Sequence, residues 1–255
     1  MPVEIVTVPC LSDNYAFLIH NADNGETALV DAPEAAPIKA ALTARGWTLS
    51  DVLITHHHDD HTQGLGPLRD TYAPRVIGCG ADAHRLPALD LAVTDGDEIT
   101  VAGQATRVLD VSGHTINHIA FHMPGCDHVF TADSLMALGC GRVFEGTFDQ
   151  MWESLSKLAA LPPETVICSG HEYTRTNARF ALTIEPGNRD LISRAAAVEA
   201  ATSAGTPTVP STLSEELATN PFLRAGDAAL KAAIGMENAT NAQVFAEIRR
   251  RKDAF

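Results

Sequence analysis

No stretch of the 255-residue chain approaches the ~18 consecutive apolar residues that a membrane-crossing helix needs. The opening residues MPVEIVTVPC lack a basic segment, an apolar core and a small-residue cleavage site, and they are not rich in Arg and Ser. Neither a secretory leader nor an organelle transit peptide is expected from them. Cysteine is sparse and scattered: Cys10, Cys79, Cys126, Cys140 and Cys168 make an odd number with no CxxC pair. A disulfide framework and a zinc–thiolate site are therefore both disfavoured, and a reducing, cytoplasmic setting is expected. Cationic residues are outnumbered, 18 Lys and Arg against 32 Asp and Glu, leaving a formal net charge of −14. That field argues against nucleic acid and anionic membranes as partners. An anionic small substrate would need a local cationic pocket working against it. There is also no internal repeat and no low-complexity tract.

With 45% hydrophobic and 20% charged residues, the chain reads as globular. Its first two thirds carry short β-branched or apolar runs closed by Gly, Pro, Asp or His: VEIVTVP, NYAFLIH, TALVDA, DVLITH, RVIGCG, TRVLDVSG, HIAFHMPG, HVFTADS and TVICSGH. Helical patches lie between them, EAAPIKAALTARG ending at Gly46 and FDQMWESLSKLAALPP stopped by Pro162 and Pro163. This alternation implies a layered α/β domain. After residue 173 the texture becomes helical. RDLISRAAAVEAATSAG is Ala-rich, TLSEELA opens with a Thr212–Glu215 capping box, and NAQVFAEIRRRKDAF places Val244, Phe245 and Ile248 on one face after an Asn241 cap. We read a domain over 1–173 and a smaller helical one over 174–255.

The densest chemistry is in LITHHHDDHTQG, where residues 56–61 hold four histidines and two aspartates. A solvated polar loop is the plain alternative, but four neighbouring imidazoles gain little in such a loop. If the chain leaves the preceding strand extended, side chains alternate, so that His56, His58 and Asp60 share one side while His57 and Asp59 point away. His61 diverges if a helix starts there. His114, Asp133 and His171 likewise follow apolar strands, His114 directly after Gly113. Any one of these could be an ordinary hydrogen-bonded residue. Convergence of strand ends is how α/β folds build sites, and the shared setting favours a metal centre.

These residues resemble the metallo-β-lactamase superfamily signature Thr-His-x-His-x-Asp-His, present as Thr55, His56, His58, Asp60 and His61, with later matches at His114, Asp133 and His171. Within that superfamily the chain is similar to the glyoxalase II (hydroxyacylglutathione hydrolase) family through CLSDNYAFLI, GCGRVFEGTFDQM, SGHEYT, NPFLR and RRRKDAF. The resemblance implies a four-layer αββα sandwich followed by a small helical domain. It implies two divalent ions, one on His56, His58 and His114, the other on Asp60, His61 and His171, with Asp133 bridging. Zinc comes first among the candidates, with iron and manganese also suited to such ligands.

The resemblance further implies a cytoplasmic thioester hydrolase. It would convert S-(2-hydroxyacyl)glutathione, chiefly S-D-lactoylglutathione, to glutathione and D-lactate in methylglyoxal detoxification. Asp60 and Asp133 would serve the chemistry. Arg142, Phe144, Tyr173, Arg249 and Lys252 would contact glutathione; Phe144 stands where the family often has tyrosine, and Arg142 where lysine is common. Arg249 and Lys252 are three apart and share a helical face, although a basic helix end is more often a solvated face that suits the helix dipole. Asp31 is read as support for a histidine. The other histidines, His118 among them, are assigned surface or hydrogen-bonding roles. A monomer is expected. The alternatives are another hydrolase of this fold or a persulfide dioxygenase and, from a different class, a non-catalytic scaffold.

Overall fold

The computed structural model describes residues 3–255, which group into two compact units. The first comprises the chain up to Asp110 together with Asn117–Thr131, and the second Val111–Ile116 and Ala132–Phe255.

In the first unit, β1 (Glu4–Cys10), β2 (Asn14–His20), β3 (Thr27–Val30), β4 (Asp51–Leu53), β5 (Arg75–Cys79) and β6 (Leu91–Val93) form one sheet in sequence order. β1 to β3 are antiparallel, and β3 to β6 run parallel. Between strands lie α1 (Ala35–Arg45), α2 (Asp59–Thr62) and α3 (Leu65–Tyr72). α1 ends where Gly46 takes the left-handed conformation (φ 68°), as its sequence predicts.

The strand period of two sorts the side chains. Ala16, Leu18, Leu29, Val52, Ile54 and Val76 share a core with Ile38 and Leu42 of α1 and Leu65 and Leu68 of α3. Phe17 faces the other way and meets Phe130, ring centroids 5.6 Å apart. Phe130 lies on β10 (His128–Ala132), part of an antiparallel run with β7 (Glu98–Val101), β8 (Gln104–Asp110) and β9 (Ile119–Met123) in the order β10-β9-β8-β7. Helix, sheet and sheet, three of the four expected layers, are thus formed within this unit. Strands covered on both faces need apolar residues at every position, which is why β2 and β3 read as continuous apolar runs.

The parallel run has a functional consequence. The C-terminal ends of β3, β4 and β5 all open on one edge of the sheet, the usual location of sites in such folds. Asp31 follows β3, Thr55 to His58 follow β4, and Asp82 lies just beyond β5.

The second unit holds the hairpin β11 (Leu135–Met136) and β12 (Gly139–Cys140), α4 (Phe148–Ala159), β13 (Val166–Ser169), α5 (Thr174–Ile184), α6 (Arg189–Ser203), β14 (Ser211–Thr212), α7 (Leu213–Thr219), α8 (Ala228–Ala233) and α9 (Asn241–Ala254). β14 pairs antiparallel with β13.

Two boundaries differ from the sequence reading. α9 is capped by Thr240, not Asn241: Thr240 Oγ1 accepts from Gln243 N (3.3 Å) while Gln243 Oε1 accepts from Thr240 N (2.9 Å). The reciprocal box satisfies two end groups where a lone Asn cap satisfies one. α4 ends at Ala159, ahead of the prolines expected to stop it. The sequence-predicted Thr212–Glu215 box is present on α7. The strands β6, β7, β11, β12 and β14 have two to four residues each, too short to show a period. Among the described residues no helix is long and apolar enough to cross a membrane.

Candidate metal centre

In the first unit the site is built on Asp31. Its backbone is left-handed (φ 56°), a conformation that Asp tolerates better than most residues, and this turns the carboxylate back under the next strand. Asp31 Oδ1 accepts from Thr55 N (2.9 Å), and Oδ2 accepts from Thr55 Oγ1 (2.8 Å) and from His61 Nδ1 (2.8 Å). A carboxylate can only accept, so His61 carries its proton on Nδ1 and presents the Nε2 lone pair outward. Thr55 Oγ1 has spent its proton on Asp31 and therefore accepts from His56 Nδ1 (3.0 Å). His56 likewise presents Nε2 as a lone pair.

That nitrogen lies 3.1 Å from His58 Nδ1, and His61 Nε2 lies 3.8 Å from Asp60 Oδ2. Asp60 is held in turn by Asn14, whose Nδ2 donates to its Oδ2 (3.0 Å) and its carbonyl (3.1 Å).

The extended alternation expected through Asp60 stops at His58, because α2 starts at Asp59. Asp60 reaches its place from a helical turn instead. The spacers behave as expected. His57 turns to the fully buried Asp82, Nδ1 3.3 Å from Oδ2, and Asp59 is exposed. Asp82 is also paired with Arg85 Nε at 2.6 Å.

Of the two roles the sequence reading allows His118, surface or hydrogen-bonding, the structure excludes the first: it is fully buried, stacked on His56 with centroids 4.6 Å apart and planes 14° from parallel. It starts the segment that leads into β9, whose Ile119 N donates to the Thr55 carbonyl (3.0 Å).

In the second unit Asp133 is the centre. His114 Nε2 lies 3.4 Å and His171 Nε2 3.3 Å from Asp133 Oδ2. His114 Nδ1 donates to the Arg142 carbonyl (2.7 Å), which leaves Nε2 as the lone-pair nitrogen facing Asp133. Gly113 before it has φ 150°, and a Cβ there would come within 2.5 Å of Met151 Sδ, so only glycine brings the chain to His114 this way. Ala132, with φ 41°, holds the strained backbone just before Asp133.

The donors fit a metal ion. Two ligands of one tetrahedral ion, each ~2.0–2.2 Å from it, stand about 3.3–3.6 Å apart. The separations of 3.1, 3.3, 3.4 and 3.8 Å bracket that range. Three of the imidazoles have their other nitrogen committed to an oxygen, as ligating histidines do.

The substrate-binding candidates all lie in the second unit. Phe144 is exposed, with the Arg142 guanidinium 5.9 Å from its ring centroid. Tyr173 stacks on His171 (4.7 Å, 9°) and is 41% exposed. Arg249, on α9, is buried. It donates to Asp253 Oδ1 from Nε (3.1 Å) and Nη2 (2.9 Å) and to the Cys140 carbonyl from Nη1 (3.0 Å), with its guanidinium 5.1 Å from the Phe222 ring centroid. Arg142 Nε lies 3.5 Å from the same Asp253 Oδ1. Lys252 Nζ is 5.2 Å from the ring centroids of both Phe180 and Phe255. Burial, with the Arg249 charge beside it, lowers its pKa from 10.5 to about 8.

Sequence reasoning missed Asn14, His118 and Asp82, beside the candidate residues of the first unit, and Asp253, beside those of the second. Only Asp253 had a local signal, four residues after Arg249 on a helix.

Comparison with known proteins gives the same picture over the whole chain. The metallo-β-lactamase superfamily profile matches residues 12–171, and the hydroxyacylglutathione hydrolase C-terminus profile matches residues 172–255. A hydroxyacylglutathione hydrolase of Ruegeria pomeroyi is 66% identical, and one of Cereibacter sphaeroides 62%, each aligned over 100% of both chains. Among solved structures, ETHE1 from Myxococcus xanthus is similar at 26% identity and a TM-score of 0.67, covering 100% of this chain and 99% of its own. With the donor groups in place and both parts of the chain matched, the protein belongs to the hydroxyacylglutathione hydrolase (glyoxalase II) family of the metallo-β-lactamase superfamily.

Proposed function

We propose that the chain hydrolyses S-(2-hydroxyacyl)glutathione, chiefly S-D-lactoylglutathione, to glutathione and D-lactate, in the cytoplasm, as a monomer and as part of methylglyoxal detoxification. The observation that carries this reading is full-length similarity to hydroxyacylglutathione hydrolases, helical C-terminal region included. We take 1–173 as the catalytic domain and 174–255 as the glutathione-binding domain. The proposed donors are His56, His58 and His114 for one divalent ion, Asp60, His61 and His171 for a second, and Asp133 for both, zinc being the first candidate.

Such a pair of cations lowers the pKa of water and stabilises negative charge developing on a carbonyl oxygen. The chain's own residues do the rest. Asp60, steadied by Asn14, accepts a hydrogen bond from the attacking water and orients it toward the thioester carbon. Asp31, Thr55 and the Arg142 carbonyl hold the Nδ1 protons of His61, His56 and His114, which is the ligating tautomer. The carbon–oxygen bond forms as the water sheds its protons, the carbon–sulfur bond breaks, and the thiolate, with a thiol pKa of about 8.5, departs without a strong acid and then takes up one of those protons while the other passes to solvent. Tyr173 donates a hydrogen bond near the sulfur. Arg142 and Lys252 hold glutathione carboxylates, while Arg249, already engaged with Asp253 and Cys140, braces them.

The test is hydrolysis of S-D-lactoylglutathione by purified protein, followed as loss of thioester absorbance, with activity lost on chelation and restored by zinc. Comparable rates on thioesters lacking glutathione would refute the substrate assignment and spare the metal assignment.

A further inference from the structure

The hairpin β11–β12 lies between Asp133 and Arg142, and its backbone is gripped from several sides. Asn220 Nδ2 donates to the Gly139 carbonyl (2.9 Å) and the Met136 carbonyl (3.2 Å). Asn177 Nδ2, on α5, donates to the Ala137 carbonyl (3.0 Å). Glu216 Oε2, on α7, accepts from Leu138 N (2.8 Å), and Arg249 Nη1 donates to the Cys140 carbonyl (3.0 Å). Four side chains from the helical part of the chain thus satisfy backbone groups at five consecutive residues, 136–140.

The turn they enclose is costly. Leu138 is left-handed (φ 55°), which a leucine adopts only where its surroundings enforce it. Gly139 is bare because a Cβ there would come within 2.5 Å of Asn177 Nδ2. The holders are fixed in turn: Asn220 and Glu216 are fully buried, Asn220 Oδ1 accepts from Phe222 N (3.1 Å), and Glu216 is paired with Arg194 and Ser211.

Both ends of the hairpin meet the metal donors. Gly141 N donates to the Ser134 carbonyl (3.1 Å), and a Cβ on Gly141 would overlap the Asp133 carbonyl and stand 3.0 Å from His114 Nδ1. The next carbonyl, that of Arg142, sets the His114 tautomer.

We propose that Asn220, with Asn177 and Glu216, is a positioning residue for the metal centre, acting through the backbone of the hairpin on Asp133 and His114; this rests on the metal reading above. The helical part of the chain then has a second task besides holding glutathione: it fixes the aim of two metal donors. If the grip served only stability, loosening it would lower the resistance of the protein to unfolding and leave the metal affinity of the folded molecules alone.

The experiment compares Asn220→Ala with the parent full-length protein, reading zinc affinity by competition with a chromophoric chelator, unfolding of the metal-free protein by circular dichroism, and KM for S-D-lactoylglutathione. The expected result is a loss of zinc affinity of about 10–100-fold, the range for residues that orient ligands, with KM changed by less than about threefold. Zinc affinity within about twofold of the parent, with lowered stability alone, overturns the proposal. Should Asn220→Ala fail to fold, Asn177→Ser loosens the same hairpin from α5 and carries the same two outcomes. Failure of the parent itself to bind zinc would instead refute the metal reading, so the two failures are distinguishable.

Discussion

Asp31 decides the protonation of its neighbours by being an acceptor at both oxygens. In Asp31→Asn one oxygen becomes an NH2 group. The amide oxygen can still serve Thr55 N, but the NH2 then faces Thr55 Oγ1 and His61 Nδ1, both of which donate in the parent. His61 must shift its proton to Nε2, the nitrogen that should ligate. We expect zinc affinity to fall about 10–100-fold and imidazole nitrogen NMR to report the other tautomer; a parent-like tautomer would remove this role. Asp31 was legible through the resemblance, which places support for a histidine at this strand end. Asn14 and His118 were not: their roles depend on β2 and the start of β9 lying beside the loop after β4, and nothing local encodes that. Lys252 carries a pH prediction. Its pKa is pushed down to about 8, so the charged form proposed to hold a carboxylate is present below that value and lost above it. KM should therefore rise as pH passes from 7 to 9. Lys252→Arg, which stays charged throughout, should flatten that rise. A parent KM independent of pH over the same range would remove Lys252 from the clamp.

Elements show which sequence signals carry energy. α9 has a complete capping box at Thr240 and a buried face of Val244, Phe245 and Ile248. Thr240→Ala removes one cap and should cost about 1 kcal/mol. Phe245→Ala empties a site packed against Trp152 (6.0 Å) and Phe222 (5.9 Å) and should cost about 3–5 kcal/mol. Urea unfolding of both variants checks the order; a larger cost for Thr240→Ala would mean that α9 is held by its end and not by its face. The apolar face was legible by its period, whereas the cap was read one residue late because Thr240 and Asn241 are both good caps and only the reciprocal bond distinguishes them. The same limit applied at residues 56–61, where alternation sorted His56, His57 and His58 correctly, and the helix that starts at Asp59 then took over. The hairpin at 135–140 left no trace in the sequence. Its strands are two residues long, and its stability comes from Asn177, Glu216, Asn220 and Arg249, which lie 37 or more residues away.

For the whole molecule the deciding quantity is charge. A formal −14 would repel an anionic thioester, and the cationic groups proposed to counter it come from two places more than 100 residues apart, Arg142 in one and Arg249 with Lys252 in the other. The same field favours divalent cations, and binding them ties the fold to its metal. A ligand that binds only the folded protein stabilises it by about 2.7 kcal/mol when present at 100 times its dissociation constant. For a chain of this size 1 kcal/mol corresponds to about 2–4 °C in Tm. Stripping the protein with a chelator should therefore lower Tm by about 5–11 °C, and excess zinc should restore it. The shift measures binding to the folded state directly, without substrate or turnover. A Tm indifferent to chelator and zinc alike would mean that Asp31, Thr55 and the Arg142 carbonyl orient the histidines for hydrogen bonding alone. That outcome would remove the metal from the proposed function while leaving the fold untouched.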